Sequence, residues 1–187
     1  MRAIVNLPPR GYIGLFNRSY YEDLLVVRVK EMWKGYKWAE RCYDMPEDEF
    51  FDMRFRQIND FEQYLYENGY RVLKIFLNIG KDEQAERFIA RIDEEEKNWK
   101  FNPGDVAERE YWDQYMDAYE KTIGGTATGT APWYVLPADQ KWYARWLVSE
   151  AIVKALEDID PQYPTVSEEA KAQFAECRAS LAAEIGE

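Results

Sequence analysis

The chain has 187 residues, enough for one domain with a real core and too few for two large ones. Its formal net charge of −11 sets it against nucleic acid and anionic membranes, and the absence of histidine excludes His-based catalysis and His-ligated metal sites. Two widely separated cysteines, Cys42 and Cys177, support neither a disulfide framework nor a CxxC zinc site, and with no leader and no long apolar run a reducing cytoplasm is expected.

In chain order, Gly11–Phe16 is short, apolar and follows Pro8-Pro9, which predicts a buried strand. A helix begins within Tyr20–Val29, and residues 30–45 read as a loop or broken helix. Glu47–Asn68 has helical periodicity, with Phe50, Phe51, Phe61, Tyr64 and Leu65 on one face. Gly69 stops it where a left-handed residue is needed. Residues 72–79 predict a second buried strand, and Lys81–Arg91 a helix with Asp82 and Glu83 in its first turn. A polar loop at 93–105 precedes a helix over Val106–Thr122. The glycine-rich run from Gly124 reads as a loop, Trp133–Pro137 as a third strand and Lys141–Leu156 as a long helix. Pro161 and Pro164 end it, and Ser167 caps a last amphipathic helix with Phe174, Leu181 and Ile185 on one side. Strands separated by helices predict an α/β fold with a mainly parallel sheet.

Three loops that follow strands could carry chemistry. In Asn17-Arg18-Ser19-Tyr20-Tyr21-Glu22, the planar fork of Arg18 suits phosphate oxygens, though a surface arginine in a plain turn has the same sequence. Lys97-Asn98-Trp99-Lys100 sets two cations around a ring in an acidic chain, which fits either a phosphate-neutralising flap or a solvated loop with Trp99 buried. Asp139, Lys141 and Arg145 open a helix whose free N–H groups favour an anion, with Asp139 equally explained as the cap. A parallel sheet would bring such loops to one edge.

The stretches GYIGLFNRSYYEDLLVVRV (11–29), KIFLNIGKDEQAERFIARID (74–93), KNWKFNPGDVAEREYWDQYMDAYE (97–120) and APWYVLPADQKWYARWLVSEAIVKALEDIDPQYP (131–164) resemble the polyphosphate kinase 2 family. The resemblance implies a P-loop kinase-like fold, a three-layer parallel sheet with a helical lid over about 81–122, in a single domain spanning 1–187 with a C-terminal helix at about 167–185. It implies phosphoryl transfer between polyphosphate and nucleoside mono- or diphosphates with magnesium. Asn17 matches the position of a Walker B-type Asp, and Asn17 with Glu22 resembles the branch that accepts AMP as well as ADP. Arg18 matches a phosphate-binding Arg. Lys81 and the Lys97–Lys100 segment match the lid, and Asp139, Lys141 and Arg145 match the motif after the last strand.

The departure is the Walker A pattern GxxxxGK[ST], which the 187 residues do not contain. The resemblance sets that segment upstream of Gly11 and its strand between those at 12–16 and 73–79, so a truncated domain is expected. Either those two strands pair directly, or Ala3–Leu7 or a partner chain fills the gap. Three readings follow: a phosphotransferase completed by another polypeptide, inactive alone; a non-catalytic binding or regulatory subunit that joins a full-length relative; and a fragment without function. A homo-oligomer or partner chain is expected, with polyphosphate and nucleotide as ligands.

Overall fold

The computed structural model describes residues 4–186, which divide into two compact units, one up to Ile152 and one from Val153. In the first unit, a 3₁₀ turn at Tyr20–Asp23 leads into a single helical turn, α1 (Val26–Val29), and two more 3₁₀ turns at Met32–Gly35 and Glu40–Cys42. These pieces wrap the long helix α2 (Glu47–Glu67). Glu47, Asp48 and Glu49 in its first turn oppose the helix dipole. It ends as expected at Gly69 (φ +85°), where Gly69 N–H donates to Tyr66 O at 2.9 Å and Tyr70 N–H to Leu65 O at 3.0 Å, a Schellman closure that only a left-handed residue permits.

The buried face of α2 differs from the expected one. It holds Phe50, Phe51, Arg54, Phe55, Ile58, Glu62 and Leu65, whereas Tyr64 is exposed. The reason is that two charged residues on that face find buried or half-buried partners, Arg54 with Asp23 at 3.0 Å and Glu62 with Lys74 at 2.7 Å. Around this face pack Leu24, Leu25, Val27, Trp33, Cys42 and Ala118. Trp33 stacks on Phe50 with ring centres 4.8 Å apart.

The sheet contains β1 (Lys74–Asn78) and β2 (Trp133–Pro137), parallel, in register from Lys74 opposite Trp133 to Asn78 opposite Pro137. The crossover between them holds α3 (Lys81–Asp93), a 3₁₀ segment (Glu95–Lys100), α4 (Pro103–Ala107), a further 3₁₀ turn (Glu108–Tyr111) and α5 (Trp112–Thr126). This bears out the parallel α/β expectation and two of its three strands. The strand expected at 11–16 does not form. That segment has no ladder partner among the described residues, and an extended segment without one is not a strand; Tyr12, Ile13 and Leu15 are exposed. Nor does the expected substitute: Ile4–Asn6 form a 3₁₀ turn, and Ala3 lies outside the described residues.

Two helix expectations also change. The helix expected over 106–122 is broken at Glu108–Tyr111, where side-chain anchors act: Lys30 pairs with Glu108 at 2.8 Å and lies 3.4 Å from the Tyr111 ring centre. The run expected as a loop from Gly124 begins instead as the end of α5, through Thr126, and only from Ala127 does it leave the helix. Gly125 is there because helix α2 comes too close for a side chain: an added Cβ would lie 2.6 Å from the Phe55 ring, and Gly125 O accepts from Asn59 Nδ2 at 3.0 Å.

β2 is followed by α6 (Lys141–Ile159), within which the two units divide. In the second unit α7 (Glu168–Ile185) is capped as expected, Ser167 Oγ accepting from Ala170 N–H at 3.2 Å. Its Phe174, Leu181 and Ile185 are exposed. No helix among the described residues is long and apolar enough to cross a membrane.

Candidate functional site

The carboxyl ends of β1 and β2 are bolted together by side chains from the loops that follow them. Asp139, after β2, accepts from the Gly80 N–H that opens α3, at 2.7 Å. Arg87 of α3 returns the connection, donating to Ala138 O at 2.8 Å and Asp139 O at 2.9 Å while its Nε holds Glu83 at 2.7 Å. Arg109 donates to Lys81 O at 3.0 Å and Gln84 Oε1 at 2.7 Å, tying the middle of the crossover to the start of α3. Gly80, which precedes Lys81, and Asp139 thus meet at one sheet edge, and Lys141 and Arg145 occupy the first two turns of α6 beside Asp139 in sequence, both exposed.

The Asn17–Glu22 turn carries Arg18 in a left-handed conformation (φ 61°), with its side chain exposed. Arg18 and Glu22 both act on the Tyr119 hydroxyl. Burial raises its pKa, the Glu22 carboxylate raises it further, and the Arg18 guanidinium opposes them. The Tyr119 ring stacks on Phe76 of β1 with centres 4.2 Å apart. The turn's charges thus reach Tyr119, the residue that stacks on β1.

Lys97, Trp99 and Lys100 stand apart from this group. Asn98 pins their segment to the end of α3 by donating to Arg91 O at 2.9 Å and Ile92 O at 2.7 Å. Trp99 is 78% exposed, so the expectation that it might be buried fails; Lys100 Nζ lies 4.8 Å from its ring centre, and Lys97 pairs with Glu94. Among the described residues, no hydrogen bond, ion pair or ring contact joins these three to the sheet edge.

Beneath the site runs a buried network. Lys74, the first residue of β1, donates to Glu62 at 2.7 Å and to Thr126 O at 2.5 Å. Thr126 Oγ1 accepts from Trp133 Nε1 at 2.9 Å, and both Tyr20 and Tyr21 donate to Glu62 Oε1. Burial lowers the Lys74 pKa and the Glu62 charge opposes that shift. Arg87, Arg109, Glu62 and Lys74 carried no motif. The signal for the last was a lysine inside an apolar strand, which must find a partner.

Comparison with known proteins identifies the family. The family model for polyphosphate kinase 2 matches residues 1–164. An ADP-polyphosphate phosphotransferase of Rhodopseudomonas palustris is 44% identical over 185 residues, covering 96% of this chain and 62% of that protein. An AMP/ADP-polyphosphate phosphotransferase of Meiothermus ruber is 45% identical over 163 residues, covering 87% of this chain and 56% of that one. The crystal structure of polyphosphate kinase 2 from Arthrobacter aurescens superposes with a TM-score of 0.78 at 40% identity, over 94% of this chain and 58% of that one. The chain thus spans about three-fifths of the length of the relatives it matches. It belongs to the polyphosphate kinase 2 family.

Proposed function

We propose that this chain binds polyphosphate and a nucleoside mono- or diphosphate as part of a polyphosphate phosphotransferase. Arg18, Lys81, Lys100, Lys141 and Arg145 hold phosphate oxygens, and Lys97 and Trp99 act in the lid over about 81–122. The observation that carries this reading is the state of the cations. In a chain with 35 acidic residues against 24 basic ones, none of those five side chains forms an ion pair with a carboxylate among the described residues. Their charge is left for an external anion, and a guanidinium or ammonium facing phosphate is worth about twice a neutral hydrogen bond. Of the six predicted cations only Lys97 forms an ion pair among the described residues, with Glu94, a surface pair that a phosphate chain can displace at little cost.

Asn17, Arg18 and Glu22 are the proposed catalytic turn, with the Asn17–Glu22 pairing fitting a site open to AMP as well as ADP. Magnesium is general to the family. No group of three or more His, Cys, Asp or Glu side chains converges among the described residues. Magnesium in phosphoryl-transfer sites takes one or two carboxylates, the rest being phosphate and water oxygens. Asn17 and Glu22 would supply part of such a donor set and fall short of a complete one.

Phosphoryl transfer is mostly positioning and charge neutralisation, which the Walker A backbone and lysine perform in P-loop enzymes. The 187 residues contain no such pattern. This chain alone is expected to bind its ligands without turning them over. Incubated with polyphosphate, magnesium and AMP or ADP, it should form no ADP or ATP above background; turnover near about 1 s⁻¹, within the ordinary enzyme range, would overturn that expectation.

A second reading, a subunit that associates with another chain, is favoured by the exposure of Tyr12, Ile13 and Leu15 together with Leu77 and Val135 of the sheet. Light scattering decides it: oligomers or aggregates support association, and a sharp 22.2 kDa monomer contradicts it.

A further inference from the structure

We propose that Glu62 is a positioning residue: through the hydroxyls of Tyr20 and Tyr21 it fixes the turn that presents Arg18. The inference rests on the reading of Arg18 as a phosphate ligand. Glu62 is fully buried in α2, and three donors converge on its carboxylate. Oε2 takes the Lys74 ammonium at 2.7 Å, while Oε1 takes Tyr20 Oη at 2.7 Å and Tyr21 Oη at 2.7 Å.

Charge balance alone calls for Lys74 and no more. The two tyrosines add something else. They are adjacent in sequence, yet their hydroxyls meet at a single oxygen, so the backbone between them has little freedom left. Their rings are held as well, Tyr20 edge-on to Phe61 at 5.7 Å and Tyr21 edge-on to Trp133 at 4.8 Å.

This anchor sits two residues after Arg18. A non-glycine residue in the left-handed region is strained and persists where its surroundings over-determine it. Arg18 has φ 61°, and its own side chain is exposed and forms no ion pair among the described residues, so the conformation is set by the backbone on either side of it. Ser19 contributes by accepting weakly from Tyr21 N–H at 3.4 Å. The stronger constraint is the pair of hydroxyl bonds to a carboxylate that cannot itself move, because Lys74 and the strand behind it hold its other oxygen. A guanidinium presented from a fixed backbone binds phosphate without the ordering cost a free turn would incur.

The test is a double-mutant cycle on the full chain, read as the affinity for inorganic polyphosphate. Tyr20→Phe/Tyr21→Phe removes two oxygen atoms, keeps both rings and leaves the Glu62–Lys74 pair intact. It is expected to weaken binding about three- to tenfold, the range that ordering one long side chain accounts for. In an Arg18→Ala background the same two substitutions are expected to cost nothing further, which a merely structural role would not produce. Equal losses in both backgrounds, or unchanged affinity with a lowered melting temperature, would overturn the proposal. If Arg18→Ala itself leaves affinity unchanged, the phosphate role of Arg18 fails and this inference fails with it. If Arg18→Ala weakens binding and the tyrosine variants do not, only the positioning claim fails. Should the double variant melt below the assay temperature, Tyr20→Phe alone, which retains the Tyr21 bond, carries the same cycle.

Discussion

Lys74→Met is the sharpest perturbation of the fold. Lys74 and Glu62 are nearly or fully inaccessible, their charged atoms 2.7 Å apart, and the same ammonium holds the Thr126 carbonyl at 2.5 Å near the end of α5. Methionine fills much of the volume but leaves Glu62 charged with only the two tyrosine hydroxyls, and leaves Thr126 O short of a donor. Removing one partner of a buried pair costs about 3–5 kcal/mol. A whole domain has about 5–15 kcal/mol of stability. For a chain of this size each kcal/mol moves the melting temperature by about 2–4 °C, so a fall of roughly 6–20 °C is expected. Adding Glu62→Gln removes the orphaned charge and keeps an acceptor for the tyrosines, so the double variant should recover about 1 kcal/mol or more over Lys74→Met. Urea unfolding followed by tryptophan fluorescence measures both. A Lys74→Met cost below about 1 kcal/mol, or a double variant as unstable as the sum of the singles, would refute the reasoning.

Two further outcomes follow from the structure. Gly125→Ala should destabilise by about 1–2 kcal/mol, because the new methyl meets the Phe55 ring at 2.6 Å and the clash exceeds the helix-propensity gain of alanine; unchanged or raised stability would mean that α2 and α5 separate easily. The Tyr115 hydroxyl is pushed up to about 12, by burial first and then by the Glu108 charge and its hydrogen bond. The folded state therefore keeps a proton that the unfolded chain releases near pH 10, so this contribution is fully present below about pH 10 and is lost as pH rises towards about 12. Tyr115→Phe should make the fall in stability between those values shallower in denaturant titrations, and an identical slope would contradict it.

What could be read from the sequence divides along physical lines. The helix α2, its stop at Gly69 and the cap at Ser167 were legible because each depends on a local rule, a period or a backbone conformation. The strands at Lys74 and Trp133 were legible as apolar runs that find each other as partners. The run 11–16 has the same composition and forms no strand, since pairing depends on a neighbour that the run itself cannot specify. The glycines at 124 and 125 misled for the opposite reason: glycine marks a loop by default, and here it marks a close approach between helices.

The predicted site residues show the same division. Arg18, Asp139 and Lys141 could be named from loops that follow strands, and Lys81 from the family resemblance. That Asp139 takes the Gly80 N–H, or that Arg87 and Arg109 lock the crossover, depends on contacts 25 to 59 residues apart, with no trace in local pattern. Glu62 was hidden for a related reason: a carboxylate on an apolar helix face reads as an error in the period until its partners appear.

The most direct measurement is a polyphosphate titration of the full chain and of the Arg18→Ala/Lys97→Ala/Lys100→Ala variant at two salt concentrations. The account predicts that the wild-type chain binds despite its net charge of −11, more weakly as salt rises, and that the variant loses most of the affinity and of the salt dependence. Equal affinity of the two proteins, or binding indifferent to salt, would contradict it.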